Sequence, residues 1–455
     1  MWGLMNVDNI PSAKERRKHK ETISRLENER AATALLLEQT QLRIKKLDEE
    51  LEQRRALAAP IRILPPDILS HIFLICCGQE RWAPLVLAAV CRRWKKMILS
   101  TPLAWSRIFL CAGEGRITRS ACIATFLRRS KPALLHVGIR RGPRYCDCRG
   151  KTNALGCACS NAKLMLKNID RIRCLRMANE WMGTIQTSNF PNLERLRITG
   201  GANWGDSPPL PLDMALFPRL RHLSLEGSAE LNKVIDFSRV QVPQLRYLVV
   251  KTDNESHWHR LIQLTSNTLH TLNIISDFTY SVERSSVLDC PELECLLITD
   301  DTERSPEWRI VIEIVAPRLI FYSFLSYHGD LKLISRIDLE NVVHLRTSDT
   351  TPLRQYPRLR ILQLYDFPGP VLSVLDQLEE DYSLCSELQV IEFRQNILTT
   401  VDGHEADPVR SRIADHNMLT GSCIEFIFKE DGGKWEYVHS TDDITVSTCH
   451  SSFIH

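Results

Sequence analysis

Apolar and polar positions recur with three different periods along the chain. From about Ser12 to Leu57 there is no Gly or Pro, and Glu, Lys, Arg, Leu and Gln predominate, all good helix formers. Ile23, Leu26, Leu37, Ile44, Leu47 and Leu51 fall on alternating three- and four-residue steps, the spacing of a coiled-coil seam. The same frame places Arg30, Thr33, Thr40 and Arg54 at core positions, so the seam is imperfect. The segment reads as one long helix, and three uses of it stay open: a self-associating coiled coil, a single amphipathic helix lying on its own protein or a partner, or a partly frayed arm.

Pro60 ends this arm, because proline cannot donate to a helix ladder and disfavours helix at the residue before it. Leu64-Pro65-Pro66-Asp67-Ile68-Leu69 then opens a new helix, with proline tolerated in its first turn. Ile68, Leu69, Ile72, Phe73 and Cys76 form an apolar stripe at helical spacing. A second helical stretch, Pro84 to Met97, contains Val90-Cys91-Arg92-Arg93-Trp94, and Pro102 and Trp105 follow. This small segment shows more large apolar residues than its own core can bury, so the surplus is expected to dock on something.

The arrangement resembles the F-box, Leu-Pro-x-Glu/Asp-Ile-Leu-x-x-Ile-Phe, a spacer, then Val-Cys-Arg-x-Trp. The matching positions are Leu64, Pro65, Asp67, Ile68, Leu69, Ile72, Phe73, Val90, Cys91, Arg92 and Trp94, and the likeness is to fungal-type F-box proteins. The resemblance implies a three-helix unit that binds the Skp-type adaptor of a cullin-based ubiquitin ligase. It assigns Leu64, Pro65, Ile68, Leu69, Ile72, Phe73, Val90 and Trp94 to that contact or its support.

Farther on, one string recurs: apolar, Pro, x, Leu, x, x, Leu, x, apolar. It reads Phe190-Pro-Asn-Leu193-Glu-Arg-Leu196-Arg-Ile198, then Phe217 to Leu225, then Val242 to Val250. Further copies start at Leu269, Leu293, Leu319, Leu359 and Leu388, and weaker ones at Ile172 and Val342, a mean advance of 24 residues. This is the period of leucine-rich repeats, one short strand and a returning helix or loop per unit. Pro191, Pro218, Pro243, Pro291, Pro317 and Pro357 precede the first Leu by two residues, where proline is expected to stop the preceding helix. Asp253, Asp277 and Asp301 stand where such repeats usually carry Asn or Cys and can still accept from turn amides; in the other repeats that residue is mostly missing, so the curvature is expected to be irregular. A half-unit at Ile108–Leu110, Ile117–Arg129 and Leu134–Ile139 continues the layer upstream, and after Ile397 the pattern dissolves.

The expected architecture is α/β: a helical arm (1–59), a small all-α F-box unit (60–106), an irregular leucine-rich-repeat-like solenoid with parallel strands (107–400, with a Cys-rich loop at 144–160), and a cap with an acidic tail (401–455). In each strand the second Leu and the final apolar residue point to the core, and the alternating neighbours form the concave face. Of these, Tyr247, Val249, Ile275, Leu297, Phe321 and Leu325 are expected to form an apolar patch that takes a protein target.

Composition narrows the function. The 455 residues carry 58 Lys+Arg against 55 Asp+Glu, a net charge of +3, against a dedicated nucleic-acid binder. No apolar run approaches the ~18 residues of a membrane span and no secretory signal is visible. With 15 cysteines, the expectation is reduced thiols in the cytoplasm or nucleus. Cys146, Cys148, Cys157 and Cys159 have some flavour of a zinc site, but their one-residue gaps hinder convergence on one ion, and a redox-sensitive loop or an incidental insertion fits as well. Gly150-Lys151-Thr152 lacks the upstream Gly of a phosphate-binding loop, and no nucleophile elbow or zinc-protease motif occurs. Neither a cofactor nor a catalytic residue is expected.

Overall fold

Freedom from Gly and Pro gives an unbroken helix α1 (Ala13–Ala58) of 46 residues, about 70 Å at the helical rise. It starts in a capping box: Ser12 Oγ accepts from the Glu15 N–H at 3.3 Å, and the Glu15 carboxylate accepts from the Ser12 N–H at 2.8 Å. The computed structural model describes residues 12–111, 120–140, 165, 167–178, 188–199, 213–226, 244–252, 257–276, 287–300, 311–326, 334–337, 339–348, 352–365, 369–395 and 406–430. Two compact units result, residues 1–76 and 77–455, with the division inside α2 (Pro66–Gln79). In the first unit the seam of α1 is uncovered, and α2 buries Leu69 and Phe73.

In the second unit α3 (Ala83–Val90) and α4 (Arg92–Leu99) are split at Cys91, whose backbone is extended. The Cys91 thiol accepts from the Trp94 N–H at 3.5 Å, so the Val-Cys-Arg-x-Trp string supplies the break and the cap for α4. A short turn, Pro102–Trp105, leads into the sheet.

The sheet is built from β1 (Arg107–Cys111), β2 (Leu135–Arg140), β3 (Ile172–Ala178), β4 (Arg195–Thr199), β5 (His222–Glu226), β6 (Tyr247–Thr252) and β7 (Thr271–Ser276). It continues past β8 (Leu288–Asp289) with β9 (Cys295–Asp300), then past β10 (Val311–Val315) with β11 (Phe321–Ser326), and past β12 (Ile334–Ile337) with β13 (His344–Thr347). β14 (Ile361–Tyr365), β15 (Val390–Gln395) and β16 (Glu425–Glu430) complete it. Among the described residues, thirteen strands pair in sequence order, while β8, β10 and β12 form a separate three-stranded sheet, β12-β10-β8. Every pairing among the described residues is parallel, as expected of a solenoid in which each repeat covers its neighbour. Helix α5 (Ser120–Arg129) connects β1 to β2. Among the described residues, other return segments contain a 3-10 turn, as at Met214–Leu216, or a helix, as at Gly369–Glu380.

Register explains why the Leu-x-x-Leu-x-apolar string repeats. Leu175, Leu196, Leu223, Leu248, Leu272 and Leu296 face one another along consecutive strands, all buried, each such side chain stabilising by roughly 1.5–3 kcal/mol. A second line, Met177, Ile198, Leu225, Val250, Ile274 and Ile298, lies beside it. The repeat proline does something more specific than ending a helix. Phe190, Phe217, Cys290, Ala316 and Tyr356 each accept a hydrogen bond, at 3.0–3.3 Å, from the Leu three residues later. Pro191, Pro218, Pro291, Pro317 and Pro357 therefore hold the second position of a β-turn, which suits proline's fixed φ.

The third position of this turn, after Pro191 in one repeat and after Glu340 in another, links repeats. Asn192 donates to the Asp170 carbonyl at 2.6 Å and accepts from Arg219 at 2.9 Å; Asn341 donates to the Pro317 carbonyl at 3.0 Å and accepts from Arg358 at 3.2 Å. Asp253, Asp277 and Asp301 lie outside the described residues. At the far end the sheet runs past Ile397: the helix Ala406–Thr420 packs beside the helix Gly369–Glu380, and β16 extends the sheet from β15.

Candidate functional site

Two regions carry the sequence-derived candidates. In the F-box-like segment, Leu69 and Phe73 are buried and Leu64 and Ile72 are half-buried, whereas Pro65 is exposed and Ile68 is 52% exposed. Ile75, one and a half to two turns beyond Ile68, is 51% exposed, so α2 is apolar on a buried stripe and on an accessible one. In the second unit Val90 is exposed at the end of α3 and Trp94 is half-buried in α4. Ile63, Val86 and Leu103 are also exposed and were not singled out by the motif; their signal was simply large apolar side chains beyond what the helical stripes need.

On the sheet, the concave-face expectation translates into register. Tyr247, Thr271, Cys295, Phe321 and His344 are successive partners on β6, β7, β9, β11 and β13. Val249, Asn273, Leu297 and Ser323 form the next row, and Ile275, Thr299 and Leu325 the one after. The six patch residues are thus brought onto four adjacent strands. Their exposure is uneven: Tyr247, Leu297, Phe321 and Leu325 are half-buried, but Val249 and Ile275 are only 1% and 4% exposed. Strands ~4.8 Å apart leave little accessible area to a short side chain flanked on every side. The accessible part of the patch is therefore its longer side chains. Phe321 also meets the His344 ring edge-on at 4.6 Å.

Toward β1 the same face turns cationic. Arg107, His136, Arg176, Arg195, Arg197 and His222 border a cavity of about 120 Å³. Arg197 donates to Glu226 at 2.7 Å, and Ser224 donates to the other oxygen of that carboxylate. Burial, then the neighbouring Arg195, pushes His222 down to about 4, so its ring is neutral near pH 7. Gly138 leaves room for this arrangement, because a Cβ there would lie 2.4 Å from the Phe109 ring. Arg195, Arg197 and His222 were legible as concave-face positions; Arg107, His136 and Arg176 were not, because their strands belong to the most degenerate repeats.

Cys146, Cys148, Cys157 and Cys159 lie outside the described residues. Among the described residues no group of three or more His, Cys, Asp or Glu is placed to hold a metal ion, and the cysteines are free thiols. Burial pushes Cys290 up to about 12 and Cys385 up to about 11, so both stay protonated thiols near pH 7, and Cys385 donates to the Tyr356 carbonyl at 3.5 Å. No helix among the described residues is long and apolar enough to cross a membrane.

Residues 162–368 match the family model described as FBD-associated F-box protein At5g56370, LRR repeats. The matched stretch takes in β3 to β14, so the repeat region is similar to the leucine-rich repeats of that family model. The match does not reach the Leu64–Trp94 segment. No curated protein matches the chain.

Proposed function

We propose that this chain, whose repeat region is similar to the leucine-rich repeats of that family model, is a target receptor of an SCF-type ubiquitin ligase. The segment from Leu64 to Trp94 binds a Skp-family adaptor, and the concave face of the sheet binds a protein target. The observation that carries the reading is the second, uncovered apolar stripe of α2: Ile68 and Ile75 remain accessible after Leu69 and Phe73 have been buried, and exposed apolar surface of this kind marks a contact. Such a receptor performs no bond chemistry. It holds a target beside a ubiquitin-charged enzyme and so raises the effective concentration of the reacting groups. Free thiols suit the cytoplasm or nucleus, where such an assembly works.

Two experiments test the two halves. Affinity-purified chain carries a Skp-family adaptor, and Leu64→Ala with Pro65→Ala lowers the bound adaptor at least tenfold while the melting temperature stays unchanged. A native chain that binds no adaptor overturns the ligase reading and leaves a repeat scaffold. For the concave face, Leu297→Ser with Phe321→Ser removes captured targets, scored by proximity labelling with proteasome activity blocked. An unchanged set of labelled proteins makes the patch structural.

A further inference from the structure

The exposed seam of α1 is self-complementary. In a heptad frame Ile23, Arg30, Leu37, Ile44 and Leu51 hold the a positions, and Leu26, Thr33, Thr40, Leu47 and Arg54 hold the d positions. Four heptads separate Ile23 from Leu51, enough to sustain a coiled coil. The six apolar residues of this frame are all exposed. Whatever covers them must offer apolar side chains at the same period and charges that suit the flanks. A second α1 does both.

The two ends of the helix fix how two copies pair. Parallel and in register, each layer meets its own copy, so all six apolar layers close on apolar partners. Sliding one chain by a heptad leaves two such layers. The best antiparallel register sets Ile23 against Leu47 and Leu26 against Ile44, which makes four, but it sets Leu37 against Thr33 and Leu51 against His19. The flanks agree with the parallel arrangement, in which a g residue faces the e residue five positions later on the other helix. Arg43 then meets Asp48, Glu50 meets Arg55, and no like-charged pair falls on the flanks between Thr22 and Arg55. Side chains of one helix meet at spacings of three and four, so the five-residue spacing of Arg43 and Asp48 serves pairing between helices. Glu50 also pairs with Arg54 of its own helix at 3.6 Å, both largely exposed, so the weight rests on Arg43 and Asp48. Arg30 suits two strands: its stem can run along a two-stranded seam with the guanidinium in water, whereas a third helix would enclose it.

We infer that α1 joins two copies of this chain as a parallel, in-register, two-stranded coiled coil over residues 23–51. Both chains then leave the coil at the same end, so the two segments that begin at Pro60 start from neighbouring points. Antiparallel pairing would put those starts about 70 Å apart. The inference concerns the arm and does not rest on the ligase reading.

Full-length protein at tens of micromolar is expected to sediment with the mass of a dimer; a monomer or a trimer overturns the inference. Orientation is read from Arg30→Cys and Thr40→Cys chains, mildly oxidised and digested, with the linked peptides identified by mass. Parallel register links residue 30 to residue 30 in the first variant alone and residue 40 to residue 40 in the second alone, because each layer then lies within disulfide reach. Links between residues 30 and 40 that form only when the two variants are mixed mean antiparallel pairing and overturn it. Charge reversal gives a reading without cysteines. Arg43→Asp is expected to weaken dimerisation at least threefold by setting two carboxylates face to face, and adding Asp48→Arg restores it. Antiparallel pairing would instead set Arg43 against Glu29 and Asp48 against Lys20, so the double reversal would weaken it further. A double variant that dimerises no more tightly than Arg43→Asp alone overturns the inference. No adaptor enters these measurements, so a dimeric chain that captures no Skp-family adaptor loses the ligase reading and keeps the coil.

Discussion

Trp105 is fully buried, donates its indole N–H to the Ile98 carbonyl at 2.8 Å and meets Phe126 edge-on at 5.1 Å, with the Arg129 guanidinium 4.5 Å from its ring. One side chain therefore ties α4 to α5 and so joins the helical segment to the first repeat. Replacing a buried Trp with Ala costs about 3–5 kcal/mol, a large part of the ~5–15 kcal/mol that holds a typical protein folded. Trp105→Ala is expected to lower the unfolding free energy, measured by denaturant titration, by that amount, with Trp105→Phe recovering about half; a loss under 1 kcal/mol would mean that Trp105 is not the pin. Cys91 is a residue-scale case of the opposite kind, since its role as the cap of α4 is local and follows from its place before Arg92. Trp105 needed a partner 21 positions away, Phe126, which no local pattern indicates.

At the scale of elements, α1 is long enough to be stable alone, since isolated helices become marginal below ~12–15 residues. Its apolar seam is nevertheless uncovered: Ile23, Leu26, Leu37, Ile44, Leu47 and Leu51 are 44–60% exposed. We expect a second copy of α1 to cover that seam, making the full chain a dimer in sedimentation at micromolar concentration. Ile44→Glu with Leu47→Glu should return it to monomer without loss of helix content. A native chain that sediments as a monomer at tens of micromolar removes self-association. The helix was legible from composition and period alone. The return segments of the repeats were not, because a turn such as Met214–Leu216 and a helix such as Gly369–Glu380 do the same job of closing one repeat.

For the whole molecule, a parallel sheet grown one repeat at a time must be closed at its last edge. Here the helix Ala406–Thr420 buries Val409 and Ile413, and Arg412 binds both Glu379 and Asp376 of the helix before it. Truncation after residue 405 would remove this helix and β16, leaving β15 as an open edge. Such a chain is expected to aggregate on size exclusion at concentrations where the full chain stays dispersed; a dispersed, fully folded product would show that the closing element is dispensable. The sequence by itself determined the long arm, the short helices between Pro66 and Leu99, the 24-residue period and which side chains of each strand face the core, because helix period, strand alternation and the Pro-x-Leu turn are local and repeat. It did not determine that β8, β10 and β12 form a second sheet, that Val249 and Ile275 are shielded, or that Arg107, His136 and Arg176 meet Arg195 and His222 around one cavity. Those depend on which residues become neighbours across strands some 20 or more positions apart, and only the stacked register decides that.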